Sequence, residues 1–154
     1  DIGSKLGKAI EKYIKSTVIG IMKSLFGSNW DIEIGAIQRK CEARAKEEIE
    51  KRYKDGLGRH DIPWTDMFFV NDYKEIIDKY WTKKPTPLPA EFRSFEDIFA
   101  IDIGYGFKSK SEQYKWLSVF NSYRNNWAHA GTKEKGLNQE EVQFLQSIHD
   151  HLLG

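Results

Sequence analysis

Apolar residues along this chain recur every three or four positions, with no sustained alternation, and that period predicts helices rather than strands. From Ser4 to Phe26, Leu6, Ile10, Tyr13/Ile14, Val18 and Ile21/Met22 fall on one stripe, and Gly27 ends the helix. Lys5, Lys8, Lys12 and Lys15 take its other faces and read as a solvated surface. A second helix, capped by Ser28 or Asn29, carries Ile34, Ile37, Cys41, Ala45, Ile49 and Tyr53 at helical spacing to Lys54, with Gly56 and Gly58 closing it. Phe68, Phe69, Tyr73, Ile76, Ile77 and Tyr80 mark a third. The run Lys83-Lys84-Pro85-Thr86-Pro87-Leu88-Pro89 cannot continue it, because each proline fixes φ and removes a donor. Ser94 caps a short helix through Ile101, and Gly104-Tyr105-Gly106 is a loop. A fourth long helix begins near Ser111, and Asn138-x-x-Glu141 is a capping box that opens a last one bearing Val142, Leu145, Ile148 and Leu152. The expected fold is all-α, a bundle of about five helices in a single domain spanning 1–154.

Composition narrows the class. With 154 residues, 40% of them hydrophobic and 31% charged, the chain can bury a core of its own. The high aromatic content, 14%, supplies large units for helix packing and faces for base stacking. Net charge is +1, but it is unevenly spread: residues 1–60 hold 13 basic and 9 acidic groups, residues 61–154 hold 11 and 14. Such a dipole steers anions without making either half a basic tract. One cysteine, Cys41, excludes an intrachain disulfide, so the cytoplasm is the expected compartment. No apolar run reaches the eighteen or so residues of a membrane helix. A start at Asp1 leads us to expect a piece of a larger protein, with other domains as partners.

The chemistry concentrates in Arg124-Asn125-Asn126-Trp127-Ala128-His129. An imidazole and a permanent cation are the two groups that RNA cleavage without a metal most needs, one to move protons and one to hold phosphorane charge. On an ideal helix with Leu117 at zero, Phe120 lies near about 300°, Tyr123 near about 240° and Arg124 near about 340°, so the guanidinium sits inside the apolar stripe. It is costly there unless it is paired or at an interface. His129 falls about 140° away from Arg124, so one regular helix cannot bring the two together. Either the helix distorts near Ala128 to Gly131, or a twofold dimer places each Arg beside the partner's His.

Arg-x4-His beside a helix end, with polar Asn125 directly after the Arg and Trp127-Ala128 before the His, resembles the HEPN superfamily (higher eukaryote and prokaryote nucleotide-binding). The resemblance extends upstream through Asp72-Tyr73-Lys74-Glu75-Ile76-Ile77 and Tyr80-Trp81, and covers roughly 66–152. It implies a homodimer whose paired motifs line a shared cleft, and an endoribonuclease leaving a 2′,3′-cyclic phosphate without metal or cofactor. His129 would be the acid-base group, Arg124 the phosphate clamp, and Asn125 an orienting or phosphate-binding group. It also implies RNA as partner and a role in defence or stress. Many domains of this kind serve instead as non-catalytic dimerisation or ligand-binding modules. On the residues alone, Arg124 pairing with Glu75 or Asp78, and His129 bonding carbonyls at a helix C-terminus, remain open.

Other signals are weaker. Gly104-x-Gly106 before Lys108-Ser109 lacks the spacing and preceding strand of a phosphate loop. His149 and His151 point about 200° apart on a helix and read as a solvated tail. Cys41 lies on an apolar stripe and reads as a buried thiol.

Overall fold

The computed structural model describes residues 1–128 and 136–154, and of residues 126–128 the backbone alone. Its architecture is all-α, with no strand among the described residues. Helix α1 (Ile2–Phe26) begins at Asp1, whose side chain accepts from Ser4 N, and ends at Gly27, whose φ of 71° only glycine adopts without strain. Its stripe is fully buried at Ile10, Ile14, Val18 and Met22, which makes α1 the axis of the bundle. Each such side chain contributes about 1.5–3 kcal/mol on leaving water. Against it pack α4 (Val70–Lys79), α7 (Lys115–Ala128) and α8 (Gln139–Leu153). Gly3 lets α8's leading segment approach, since a Cβ there would stand 2.6 Å from Leu137 Cδ1.

Two of the expected helices are broken. The second splits into α2 (Trp30–Glu33) and α3 (Gly35–Lys54), because buried Ile34 adopts φ −113°, ψ 35° between them. Asn29 stands at the N-cap position of α2, but its side chain makes no capping hydrogen bond, and Gly27–Asn29 forms a 3-10 turn. The fourth splits at buried Tyr114 into α6 (Lys110–Gln113) and α7. Helical segments therefore outnumber the five or so expected, although five of them, α1, α3, α4, α7 and α8, run ten residues or longer.

Helix α3 buries only Ile37, Cys41 and Ala45, so its second half stands out from the core. It is braced by the 3-10 turn Trp64–Met67 and by Arg59, which pairs with Glu50 and lies over the Tyr53 ring. The short helix α5 (Phe95–Phe99) is capped by Ser94 as expected. It supplies Phe95 and Phe99 to an aromatic cluster with Trp116 and Phe120, and Trp116 Nε1 donates to Phe99 O at 2.8 Å. The Asn138 capping box opens α8 as its spacing predicts. Both His149 and His151 lie on that helix, His149 half-buried and His151 exposed, so the solvated reading holds for His151 alone. No helix among the described residues is long and apolar enough to cross a membrane.

Candidate functional site

Arg124 emerges from the last turns of α7 where that helix crosses α1 and the N-terminal end of α4. The turns before it are locked by Trp116, Leu117 and Phe120, all fully buried, so the direction of the arginine is set by the core. As the angular reading predicts, Arg124 sits on the inward edge of the helix and finds a partner there. That partner is neither Glu75 nor Asp78: Nε donates to both carboxylate oxygens of Glu11 on α1, each at 3.1 Å. Glu75 is exposed, and Asp78 is taken by the Tyr114 hydroxyl and by Lys110. The Glu11 pair is only half-buried, with 39% of the Arg124 side chain and 24% of Glu11 accessible. A guanidinium carries five N–H donors, of which Glu11 takes the one on Nε.

Beside this pair lies Tyr73 of α4, almost wholly buried. Burial first, and then the Glu11 carboxylate, push its phenol well above the usual tyrosine range, with Arg124 opposing. Tyr73 is therefore a neutral hydroxyl at any physiological pH and no proton acceptor.

A second arginine, absent from the sequence reading, anchors the next layer. Arg44 of α3 donates from Nη1 to Asp72 Oδ2 at 2.6 Å and to Met67 O at 3.0 Å, and its guanidinium carbon stands 3.6 Å over the Phe69 ring. The same Asp72 oxygen accepts from Phe69 N at 2.8 Å, closing the first turn of α4 from its third position. Phe69 thus has a guanidinium packed on its ring while the residue remains 55% exposed. The sequence signal for this was Asp72 in the first turn of the third helix, where a carboxylate satisfies orphan N–H groups. Cys41, close by, is buried as expected, and desolvation with the Asp72 charge pushes its thiol up, away from nucleophilic use.

Between these elements lies a concavity of about 220 Å³ lined by Phe69, Val70, Asn71, Asn121, Arg124 and Asn125. It combines one exposed aromatic ring, three primary amides and one guanidinium, which suits a planar polar ring or an anion more than an aliphatic ligand. Asn125 is exposed at its edge. The structure brings Arg124 and Asn125 to one cavity, whereas His129 lies outside the described residues.

The other candidate motifs resolve simply. The Gly104 to Gly106 loop turns its N–H groups inward, but Asp102 Oδ1 accepts from Gly104, Tyr105 and Gly106 at 2.8–3.0 Å. The nest is filled by the chain's own carboxylate, which those bonds hold below its ordinary pKa. Among the described residues no group of His, Cys, Asp and Glu is placed to hold a metal ion. In comparison with known proteins, the chain matches no family model, no curated protein sequence and no solved structure. What fold and site define together is an all-α helical bundle with a polar, arginine-bearing cavity where α1, α4 and α7 meet.

Proposed function

We propose that the chain is a HEPN-type, metal-independent endoribonuclease domain. The observation that carries this reading is that Arg124 is held by Glu11 yet still opens onto a cavity it shares with Asn125. In the reaction, His129 takes the proton of a ribose 2′-hydroxyl, the 2′-oxygen attacks phosphorus, and the bond to the 5′-oxygen breaks. The leaving oxygen takes a proton from the imidazolium, giving a 2′,3′-cyclic phosphate and a 5′-hydroxyl. Arg124 stabilises the added phosphorane charge, which is worth most where water is partly excluded. Glu11 acts as a positioning residue, fixing the plane of the guanidinium. Asn125 orients either the phosphate or the imidazole. Since Arg124 and His129 diverge on a regular helix, the reading includes a homodimer with paired motifs, within a larger cytoplasmic protein of defence or stress response.

The test is end-labelled single-stranded RNA incubated with the protein in EDTA, wild type beside His129→Ala and Arg124→Ala. Cleavage leaving cyclic-phosphate ends, lost in both variants, is expected. Wild-type protein that leaves several RNAs intact overturns it.

One observation favours a second reading, a non-catalytic HEPN-like dimerisation or ligand-binding module: Arg124 already has a carboxylate partner within its own chain. On that reading the Glu11–Arg124 pair ties α1 to α7, and both variants fold and self-associate with no RNA chemistry to lose.

A further inference from the structure

The cavity at Arg124 does not stand alone. It abuts a second concavity, of about 460 Å³, through the shared residue Asn71, and that one abuts a third, of about 450 Å³, through the shared residue Asp78. Together they follow the outer side of α4, from Phe69 ahead of its first turn to Lys84 beyond its last. The ten residues of α4 alone span about 15 Å, room for roughly four phosphates at the ~3.4 Å spacing of a stacked strand.

Charge along this groove is one-sided. Arg124 is balanced by Glu11, and Lys110 by Asp78 at 3.2 Å. Lys74 donates to Ser118 Oγ at 3.0 Å and acts on Asp78, whereas among the described residues no ion pair engages Lys79, Lys83 or Lys84; the lining carboxylates are Asp78, shared with Lys110, and Glu75. At the Arg124 end the groove meets Phe69. Its ring is backed by Arg44, which is itself clamped by Asp72 and Met67 O, so the platform is rigid rather than a loose surface side chain. Three amides, of Asn71, Asn121 and Asn125, line the cavity beside it and offer donors and acceptors to a base edge. A basic groove that tracks a backbone and ends on a rigid aromatic platform is how proteins hold a single strand.

We propose that the groove along α4 is a single-stranded RNA track, in which Lys79, Lys83 and Lys84 follow the phosphates and Phe69 stacks one base next to Arg124. This rests on the ribonuclease reading for the identity of the strand. It goes beyond that reading in assigning residues outside the Arg-x4-His motif to substrate.

The test is equilibrium binding, by fluorescence anisotropy, of a labelled 2′-O-methyl RNA of about ten nucleotides. Such a strand lacks the 2′-hydroxyl nucleophile, so cleavage cannot distort the measurement. The second probe is the same strand with its central bases removed. Phe69→Ala and Phe69→Leu are expected to weaken binding of the intact strand roughly 5- to 150-fold, as loss of one stacked base does, and to leave the abasic strand unchanged. Phe69→Tyr keeps wild-type affinity. The triple variant Lys79→Ala/Lys83→Ala/Lys84→Ala flattens the slope of log K against log salt by about 2, from the ~0.7 per phosphate contact of single strands. An unchanged slope in the triple variant, or unchanged affinity in Phe69→Ala, overturns the track, and so does a wild type that binds neither strand. Cleavage of unmodified RNA is scored separately on the same proteins. A wild type that binds as described but leaves unmodified RNA intact defeats the ribonuclease reading alone. A wild type that cleaves while all variants bind as it does defeats the track alone.

Discussion

Arg124 and Glu11 are 113 residues apart in sequence, yet the guanidinium Nε reaches both oxygens of that one carboxylate. Because the pair is half-exposed, its contribution to stability is at most about 1 kcal/mol. Glu11→Gln should therefore lower the melting temperature by no more than about 2–4 °C. Its effect on RNA cleavage should be larger than its effect on folding, because the guanidinium loses its fixed plane. A thermal melt beside a cleavage assay separates the two, and cleavage unchanged by Glu11→Gln would remove the positioning role.

Arg44 and Asp72 make the opposite case. Only 19% and 7% of their side chains are accessible, and Asp72 also closes the first turn of α4. Asp72→Ala strands a nearly buried guanidinium and frees the Phe69 N–H, at a cost of about 3–5 kcal/mol. Asp72→Asn keeps an acceptor for that N–H and should cost less. Urea unfolding of the two variants checks the order, and equal losses would show that the cap contributes nothing.

Much of the fold was legible because its signals are local. The stripe of α1, the stop at Gly27, and the caps at Ser94 and Asn138 all lie within a few residues of what they control. The breaks at Ile34 and Tyr114 were not legible. Both residues fit a helical period and both are buried, and the distant partners of Tyr114, Trp81 and Asp78, are not signalled by spacing within one element. At the site, the inward placement of Arg124 could be read from angles along α7, but its partner could not. Helical spacing relates residues on one element, whereas Glu11 arrives through the packing of α1 on α7. The role of Arg44 is hidden for the same reason, since its contacts with Met67, Phe69 and Asp72 come from residues 23 to 28 positions away.

Tyr114 and Asp78 give a dependence on pH with two limbs. The Tyr114 hydroxyl, first among the causes, holds the Asp78 carboxyl below its ordinary pKa. A depressed carboxylate stabilises the fold above its unfolded value of about 3.9 and loses that contribution as pH falls through the folded one. Burial and then Asp78 push the Tyr114 phenol up to about 12. A raised phenol stabilises below its unfolded value of about 10 and loses the contribution as pH rises through the folded one. The stability gap between wild type and Tyr114→Phe should be widest from pH 5 to 9 and close on both sides. Urea midpoints from pH 3 to 12 test it, and a constant gap over that span would contradict it.

Trp116 ties α7 to α5 by its indole N–H as well as by its ring. Trp116→Phe leaves the Phe99 carbonyl without that donor and opens a void in a fully buried cluster, at a cost of about 2–4 kcal/mol. Since Arg124 rides on the same helix, cleavage should fall with it. Differential scanning calorimetry reads the first effect, and a melting temperature within about 2 °C of wild type would mean that the cluster repacks.

Whether Arg124 holds phosphate charge in the transition state is tested by single-turnover cleavage of a labelled RNA in EDTA. Wild type, Arg124→Lys and Arg124→Ala are compared at saturating protein. A loss of about 10² to 10³ in rate is expected for Arg124→Ala, the scale of one missing charge-stabilising donor, and a partial loss for Arg124→Lys, which keeps the charge but not the fork. Cleavage by Arg124→Ala at the wild-type rate would contradict it.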